Sequence, residues 1–442
     1  MSLFTCTNCD SQFPKWYGRC PECSQWGTLV EQSNPASNSK SSKQKTSHKA
    51  IASLSIQQNQ KIKDQASFRL RTQNTEVDRV LGGGIVPGSL LLLSGEPGRG
   101  KSTLAAMLAC SLFKSSSHVL YISGEESLIQ LKERFLRLSL AFDQVHYLEA
   151  HPIETIIATI EKELPTFVII DSIQTIGSQV LEAPLASPNL VRYITNLLLT
   201  FTKQTNIPIL LIGQVTKEGS LAGPKTLEHL VDVVLSLEGD SVHALRFLRS
   251  SKNRFGSTGE VGVFEMTNHG LIALENPSKH FLQERVAVPG SVLTATLEGS
   301  RVFLVEVQAL VEKNAYSVPI RRASGFDQNR LMMLCAILSK RASLSLQDHD
   351  VYINVVGGIE LHEPASDLAV CAAILSAKTN KIQEYPVIYL GEVGLGGELR
   401  SVPLLEQRVK ECKRFGIKEI IVPMRQKLPQ TKGITQISEL SS

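Results

Sequence analysis

The chain has 442 residues, too many for one hydrophobic core, so two or three domains are expected. Its 46 basic and 42 acidic residues leave a net charge of +4, which neither requires nor excludes a nucleic-acid partner. No apolar run reaches membrane-spanning length and the N-terminus lacks a charged-then-apolar leader, so a cytoplasmic protein without a membrane partner is expected.

Two cysteine knuckles come first, Cys6-x-x-Cys9 and Cys20-x-x-Cys23. Four thiolates in two such turns suit the tetrahedral preference of Zn²⁺, and Gly18 and Pro21 supply turn chemistry beside the second pair. A disulfide framework suits small secreted domains, and a dithiol redox motif needs only one C-x-x-C. Cys6, Cys9, Cys20 and Cys23 are therefore expected to hold one zinc ion in a module of residues 1–31. So short a module depends on its metal for folding energy on the order of 10 kcal/mol. Cys110, Cys335, Cys371 and Cys412, in apolar surroundings, read as ordinary buried residues.

Residues 32–66 are rich in Ser, Gln, Asn and Lys and read as a flexible linker. Its lysines, from Lys40 to Lys63, serve either as a solvated spacer or as a docking arm. Residues 67–276 then alternate short apolar runs with helical periodicity, the pattern of an α/β fold with helices on both faces of a parallel sheet. Val119–Ser123, Phe167–Asp171 and Ile209–Gly213 read as strands, with helices at Leu128–Leu138, Pro152–Leu164 and Asn189–Thr205. Val231–Leu237, Ala244–Arg249 and Val261–Thr267 are expected to extend the sheet in antiparallel fashion.

Within this region Gly95-Glu96-Pro97-Gly98-Arg99-Gly100-Lys101-Ser102 follows the apolar run Leu90–Leu93 and precedes a helix that includes Thr103. It fits G-x-x-x-x-G-K-[ST] in the strand–loop–helix setting that gives the pattern meaning. Glycines let backbone N–H groups converge on phosphate oxygens, the lysine reaches the β- and γ-phosphates, and the serine hydroxyl ligates Mg²⁺. ATP with Mg²⁺ is the expected ligand. Asp171, ending an apolar strand, is expected to hold the metal through water. Glu125 and Glu126 follow a neighbouring strand, and Glu125 is preferred as the residue that orients and deprotonates the attacking water. Gln214 is placed to sense the γ-phosphate. Lys252 and Arg254 alternate on a strand-like segment and would share one side of it if extended.

These residues carry a family resemblance. Asp78-Arg-Val-Leu-Gly-Gly-Gly-Ile-Val-Pro-Gly88 resembles the entry to the RecA/DnaB/KaiC superfamily core. Together with the four-cysteine knuckle, Ser123-Gly-Glu-Glu-Ser127 and Lys252-Asn-Arg-Phe-Gly256, it identifies the chain as a member of the RadA (Sms) family of bacterial DNA repair and recombination proteins. The match spans nearly the whole chain. The resemblance implies a RecA-like core assembled as a hexameric ring of identical subunits. It implies a DNA-dependent ATPase and DnaB-like helicase on single-stranded and branched DNA, driving branch migration with the RecA recombinase and nucleoid-associated when active. Lys252 and Arg254 then serve either DNA phosphates or a neighbouring subunit's ATP. Whether the zinc knuckle meets DNA or protein stays open.

Residues 277–442 resemble the Lon protease domain through Val351-Tyr-Ile-Asn-Val-Val-Gly-Gly-Ile359, Glu363-Pro-Ala-Ser-Asp-Leu-Ala369 and Gly391-Glu-Val-Gly-Leu395. Lon uses a serine–lysine dyad. Here Ser366 falls near the nucleophile position, but Glu406 stands where the lysine belongs and Arg408 stays protonated. The domain is expected to be an inactive protease fold used for ring assembly and DNA contact, with Arg285, Arg301, Lys313, Arg321, Arg322 and Arg330 as candidate contacts. The competing reading is an ATP-dependent Lon-like protease.

Overall fold

A computed structural model describes residues 3–7, 11–13, 15–32, 69–112, 118–213, 225–239, 244–283, 285–314, 318–383, 385–425 and 433–440. Cys9, Gln214 and the expected linker lie outside them, except that Gln32, taken as the linker's first residue, ends a strand. The chain divides into two compact units, residues 1–61 and 62–442.

The first unit is a small antiparallel sheet in which β1 (Leu3–Cys6) pairs with both β2 (Gln12–Phe13) and β3 (Leu29–Gln32). Its few buried side chains are Cys6, Cys20 and Leu29, with Phe4, Phe13 and Cys23 packed against them. So small a cluster falls well below what a free-standing domain needs.

The second unit opens with a nine-stranded sheet. Its strands are β4 (Leu90–Ser94), β5 (Val119–Ser123), β6 (Val145–Glu149), β7 (Phe167–Asp171), β8 (Ile209–Ile212), β9 (Val233–Glu238), β10 (Leu245–Asn253), β11 (Val261–Thr267) and β12 (Gly270–Ala273). Their spatial order is β12-β11-β10-β9-β4-β8-β7-β5-β6. The run from β9 to β6 is parallel, and β10, β11 and β12 add antiparallel. Two-residue periodicity sorts the leucines of β4. Leu91 and Leu93 pack with Leu104, Leu108, Leu131 and Phe135, while Leu90 and Leu92 pack with Ile156, Ile160, Leu190 and Ile194 on the other face. Helices therefore cover both faces, and strands buried twice over read as unbroken apolar runs.

One strand departs from expectation. β9 is parallel to β4, because the chain crosses over between β8 and β9, and only β10 onward runs antiparallel. Helix Thr75–Leu81 and strands β6 and β12 were not anticipated.

A second sheet contains β13 (Ser291–Glu298), β14 (Arg301–Lys313), β15 (Arg321–Ser324), β16 (His349–Val355), β17 (Val387–Tyr389), β20 (Glu419–Pro423) and β21 (Ile434–Ile437), in the order β15-β16-β14-β13-β17-β20-β21. Between β17 and β20 lies the short pair β18 (Glu392–Val393) and β19 (Leu399–Arg400). Helices Gln328–Arg341 and Asp367–Thr379 share one apolar cluster with this sheet, and Leu405–Arg414 packs into another. Leu245, Phe247, Val261 and Val263 of the first sheet belong to the same cluster as Phe281, Phe303 and Val305. The two sheets are thus joined through a common core, reinforced by Arg301 bonding buried Glu76 at 2.5 Å and Arg249 bonding Glu298 at 2.5 Å.

Candidate nucleotide site

The C-terminal end of β4 feeds the glycine-rich loop. Gly95 lies against the carbonyl of Leu237, which a Cβ there would approach to 2.5 Å, and its φ of +152° suits only glycine. Gly100 takes the left-handed conformation at the start of helix Lys101–Ser111, and no side chain caps that helix. Its first N–H groups, with the positive end of its dipole, form the kind of terminus that accepts a phosphate.

Lys101 is 7% exposed, and its Nζ donates to the carbonyls of Gly95 at 2.8 Å and Glu96 at 2.9 Å. Burial lowers its pKa, opposed by the charges of Asp171 and Glu125. The same ammonium therefore bridges the loop and faces two acids from neighbouring strands. Arg99 and Glu96 bond across the loop at 3.1 Å.

Asp171 ends β7, buried, in register with Ser123 of β5. Its Oδ2 accepts the Tyr121 hydroxyl at 2.7 Å, and the Ser102 hydroxyl is near enough to favour the charged carboxylate. Oδ1 is buried with no hydrogen-bond partner among the described residues. An orphaned carboxylate oxygen and a nearby serine hydroxyl are fitting oxygen donors for a hydrated Mg²⁺. Burial raises the Asp171 pKa. The bond from Tyr121 and the nearby Ser102 hydroxyl oppose that shift, and Glu125 and Glu126 add to it.

The two glutamates after β5 differ sharply in their engagements. Glu126 Oε1 is held by Arg134, and its backbone N–H donates to Ser123 Oγ at 3.0 Å. Glu125 is exposed at the same turn and close enough to act electrostatically on both Lys101 and Asp171. The site thus gathers Gly95–Thr103, Asp171 and Glu125. Tyr121 and Arg134 were not foreseen from the sequence. The only signal for Tyr121 was a hydroxyl-bearing residue in an otherwise apolar strand.

Lys252 and Arg254 are not part of this cluster. β9 runs parallel to β4, and its Val233 end, opposite the phosphate loop, pairs with Asn253. A bulge between Ser250 and Lys252 shifts the register, β10 stops at Asn253, and Arg254 lies in the turn beyond. Simple alternation along an extended strand is therefore replaced by a bulge and a turn, although the two cations stay near one another. Lys252 Nζ donates to the carbonyls of Glu228 at 2.8 Å and His229 at 3.1 Å. Its pKa is lowered by burial and then by Arg254. Arg254 is 55% exposed and 3.5 Å from Asp232, which also binds Lys203 at 2.6 Å. Between them buried Asn253 reaches back toward the carbonyls of Val80 and Leu81.

In the small unit the sulfurs of Cys6, Cys20 and Cys23 lie within 4.8 Å of one another, with Cys6 and Cys23 at 3.6 Å. That spacing far exceeds a disulfide and approaches the roughly 3.8 Å edge of a zinc–thiolate tetrahedron.

In the second domain Ser366 is buried, and its hydroxyl donates to the Glu363 carbonyl at 2.9 Å. Arg408 is fully buried and grips Glu363 at 2.7 and 2.5 Å, while Glu406 is exposed. Three of the six candidate surface cations are structural. Arg301 binds Glu76, Arg330 binds Asp367 in a bidentate pair, and Arg321 bonds the Leu346 carbonyl at 2.6 Å.

Comparisons with known proteins agree with this layout. Residues 57–220 match the family model of an AAA domain, residues 4–31 a rubredoxin metal-binding domain, and residues 332–426 the subunit ChlI of Mg-chelatase. DNA repair protein RadA of Pseudomonas aeruginosa is 45% identical over 96% of this chain and 92% of its own length. The protein of that name from Bacillus subtilis is 45% identical over the same shares. That from Aquifex aeolicus is 42% identical over 96% of this chain and 93% of its own. Among solved structures, the KaiC-like protein PH0186 from Pyrococcus horikoshii aligns with a TM-score of 0.39 and 18% identity, covering 47% of this chain and 99% of its own.

Proposed function

The chain belongs to the RadA family of DNA repair proteins, and from that premise we propose that it is a DNA-dependent ATPase acting as a DnaB-like helicase and branch-migration motor. Its substrates are single-stranded and branched recombination intermediates, on which it assists the RecA recombinase as a hexameric ring. The observation that carries this reading is the convergence of Lys101, Ser102, Asp171 and Glu125 at the C-terminal ends of β4, β7 and β5. Ligands of open parallel sheets bind in just that crevice.

Magnesium–ATP, when bound, supplies the transferable phosphoryl group and the metal charge that offsets it. The protein's part is positional. Lys101 would exchange its loop carbonyls for phosphate oxygens, and Ser102 and Asp171 would hold the metal. Asp171 is itself fixed by Tyr121. Glu125 takes a proton from the attacking water, and Gln214 reads the γ-phosphate. Lys252 and Arg254 act outside their own subunit's site, on DNA or on the neighbour's nucleotide.

Cys6, Cys9, Cys20 and Cys23 hold zinc in the N-terminal module. We assign residues 1–31 to that module, 32–66 to a linker, 67–276 to the ATPase and 277–442 to a Lon-like domain without proteolytic activity. Ser366 supports the last assignment, since its proton is held by a backbone carbonyl and no lysine amine bonds to it among the described residues. Replacing Lys101 by Ala should abolish ATP hydrolysis and leave the thermal transition in place, because it removes charge stabilisation of the transferred phosphate. DNA-stimulated turnover at the wild-type rate in this variant would overturn the assignment.

A further inference from the structure

A cleft of about 740 Å³ opens between helix Thr75–Leu81, the junction residues Glu275–Ser278 and helix Leu405–Arg414. Its size falls in the range of small-molecule sites, and it shares no residue with the phosphate loop. Its walls are cationic, with Arg79, Arg301, Lys410 and Arg414 against only Glu275 and Glu411. Lys410, Glu411 and Arg414 recur at helical spacing, so one stripe of the helix faces the cleft.

Arg301 apart, the cations of the cleft hold only long ion pairs or none among the described residues. Arg301 at 2.5 Å and the Val263 N–H at 3.0 Å share Glu76 Oε2, and Arg79 lies 3.4 Å from Oε1 without hydrogen-bonding it. Arg414 reaches Glu411 only at 3.7 Å and otherwise bonds Asn276 Oδ1. Lys410 is exposed and has no ion-pair partner among the described residues. Burial lowers the Arg301 pKa, opposed by the Glu76 charge and reinforced by that of Arg79.

We propose that this cleft binds a small oligophosphate anion, clamped by Arg79, Lys410 and Arg414 between the two domains. The phosphates could be inorganic or the phosphate chain of a nucleotide. Recognition rests on the phosphates alone. The one aromatic residue of the cleft, Phe303, is 1% exposed and has Arg301 over its ring, so no aromatic face is left for a base. Guanidinium forks match phosphate geometry, and the lysine adds a point charge. An anion there would brace helix Thr75–Leu81, whose last carbonyls lie next to Asn253 of the Lys252–Gly256 segment. The site stands apart from the proposed ATPase chemistry and does not depend on it.

Calorimetric titration of the full chain with sodium tripolyphosphate, after saturation with magnesium–ADP, tests the proposal. One equivalent should still bind. Lys410→Ala combined with Arg414→Ala, both at exposed positions, should weaken that binding at least tenfold and leave ADP affinity unchanged. Arg79→Gln alone should weaken it too, from the opposite wall. Absence of tripolyphosphate binding once ADP is in place, or equal binding by all these variants, would overturn the assignment. So would stoichiometric displacement by a single-stranded oligonucleotide, which would make the cleft a nucleic-acid contact. If ADP itself fails to bind, the phosphate-loop reading fails, and the response to the Lys410 and Arg414 substitutions still decides the cleft.

Discussion

At the residue scale, two acids one position apart meet different fates because a single arginine claims one of them. Arg134 holds Glu126, and Glu125 keeps its side chain in the crevice near Lys101 and Asp171. Glu125→Gln should therefore lower turnover by roughly 10²- to 10⁴-fold with little change in nucleotide affinity. Glu126→Gln should act more mildly, through the freed Arg134. Single-turnover kinetics on both variants check the assignment, and the reverse ranking would exchange their roles. Asp171 supplies a second expectation. Burial raises its folded-state pKa above the ordinary 3.8, so the folded chain holds a proton more readily than the unfolded one. Its negative charge therefore costs stability at neutral pH, and that cost disappears as pH falls below about 3.8, where both states are protonated. Asp171→Asn should melt higher than wild type at pH 7 while losing hydrolysis, and its advantage should vanish toward pH 4. Thermal melts across that range measure it. Sequence reading reached Asp171 because an acid closing an apolar run is visible. It missed Tyr121, because the register that sets Ser123 opposite Asp171, and so brings Tyr121 within reach, belongs to the sheet and not to either segment alone.

At the element scale, legibility followed burial. β5 and β7 are buried at every position and stood out as unbroken apolar runs. β6 is an edge strand, half exposed, carrying His146 and Glu149, and offered neither an apolar run nor alternation. Helix Thr75–Leu81 escaped notice because its seven residues bury Glu76 and Asp78, which composition assigns to the surface. Asn74 accepts from the Glu76 and Val77 N–H groups and Gly82 closes the other end in the left-handed conformation, so capping defines the helix more than periodicity does. The cysteine module is the opposite case, since its ligand spacing is explicit in sequence while its packing is minimal. Cys20→Ser should remove bound zinc and unfold this module, because Cys6, Cys20 and Leu29 are too little core to stand without metal. The large unit carries its own cores, so its thermal transition should persist. Elemental analysis together with calorimetry gives both readouts. Full metal content in the variant would remove Cys20 from the ligand set.

At the scale of the whole molecule, Lys252 and Arg254 sit away from the phosphate loop, a placement that suits contact with a second molecule. Asn253 pairs with Val233, level with Leu91 of β4, so about four residues of that strand, roughly 13 Å, separate this end of the sheet from the phosphate loop. Arg254 is also more than half exposed, and the Asp232 carboxylate 3.5 Å from it is shared with Lys203. A side chain so placed is available to another molecule. If that molecule is a neighbouring copy, Lys101→Ala and Arg254→Ala should complement one another. Each variant alone should be inactive, the first for want of its own phosphate-loop lysine and the second for want of the trans arginine. A trans finger can be worth 10³-fold or more in turnover. In rings mixed at equal ratio, about a quarter of the interfaces would pair an intact loop with an intact arginine from the next subunit, and turnover should return to that order. If Arg254 meets DNA instead, mixing should restore nothing, and Arg254→Ala alone should weaken single-stranded DNA binding and flatten its salt dependence by about one unit. Titrating one variant into the other and following ATP turnover separates the two. Wild-type ATPase, DNA affinity and branch migration in Arg254→Ala would instead make the segment a purely structural turn, with Asn253 tying it to helix Thr75–Leu81 as its only task.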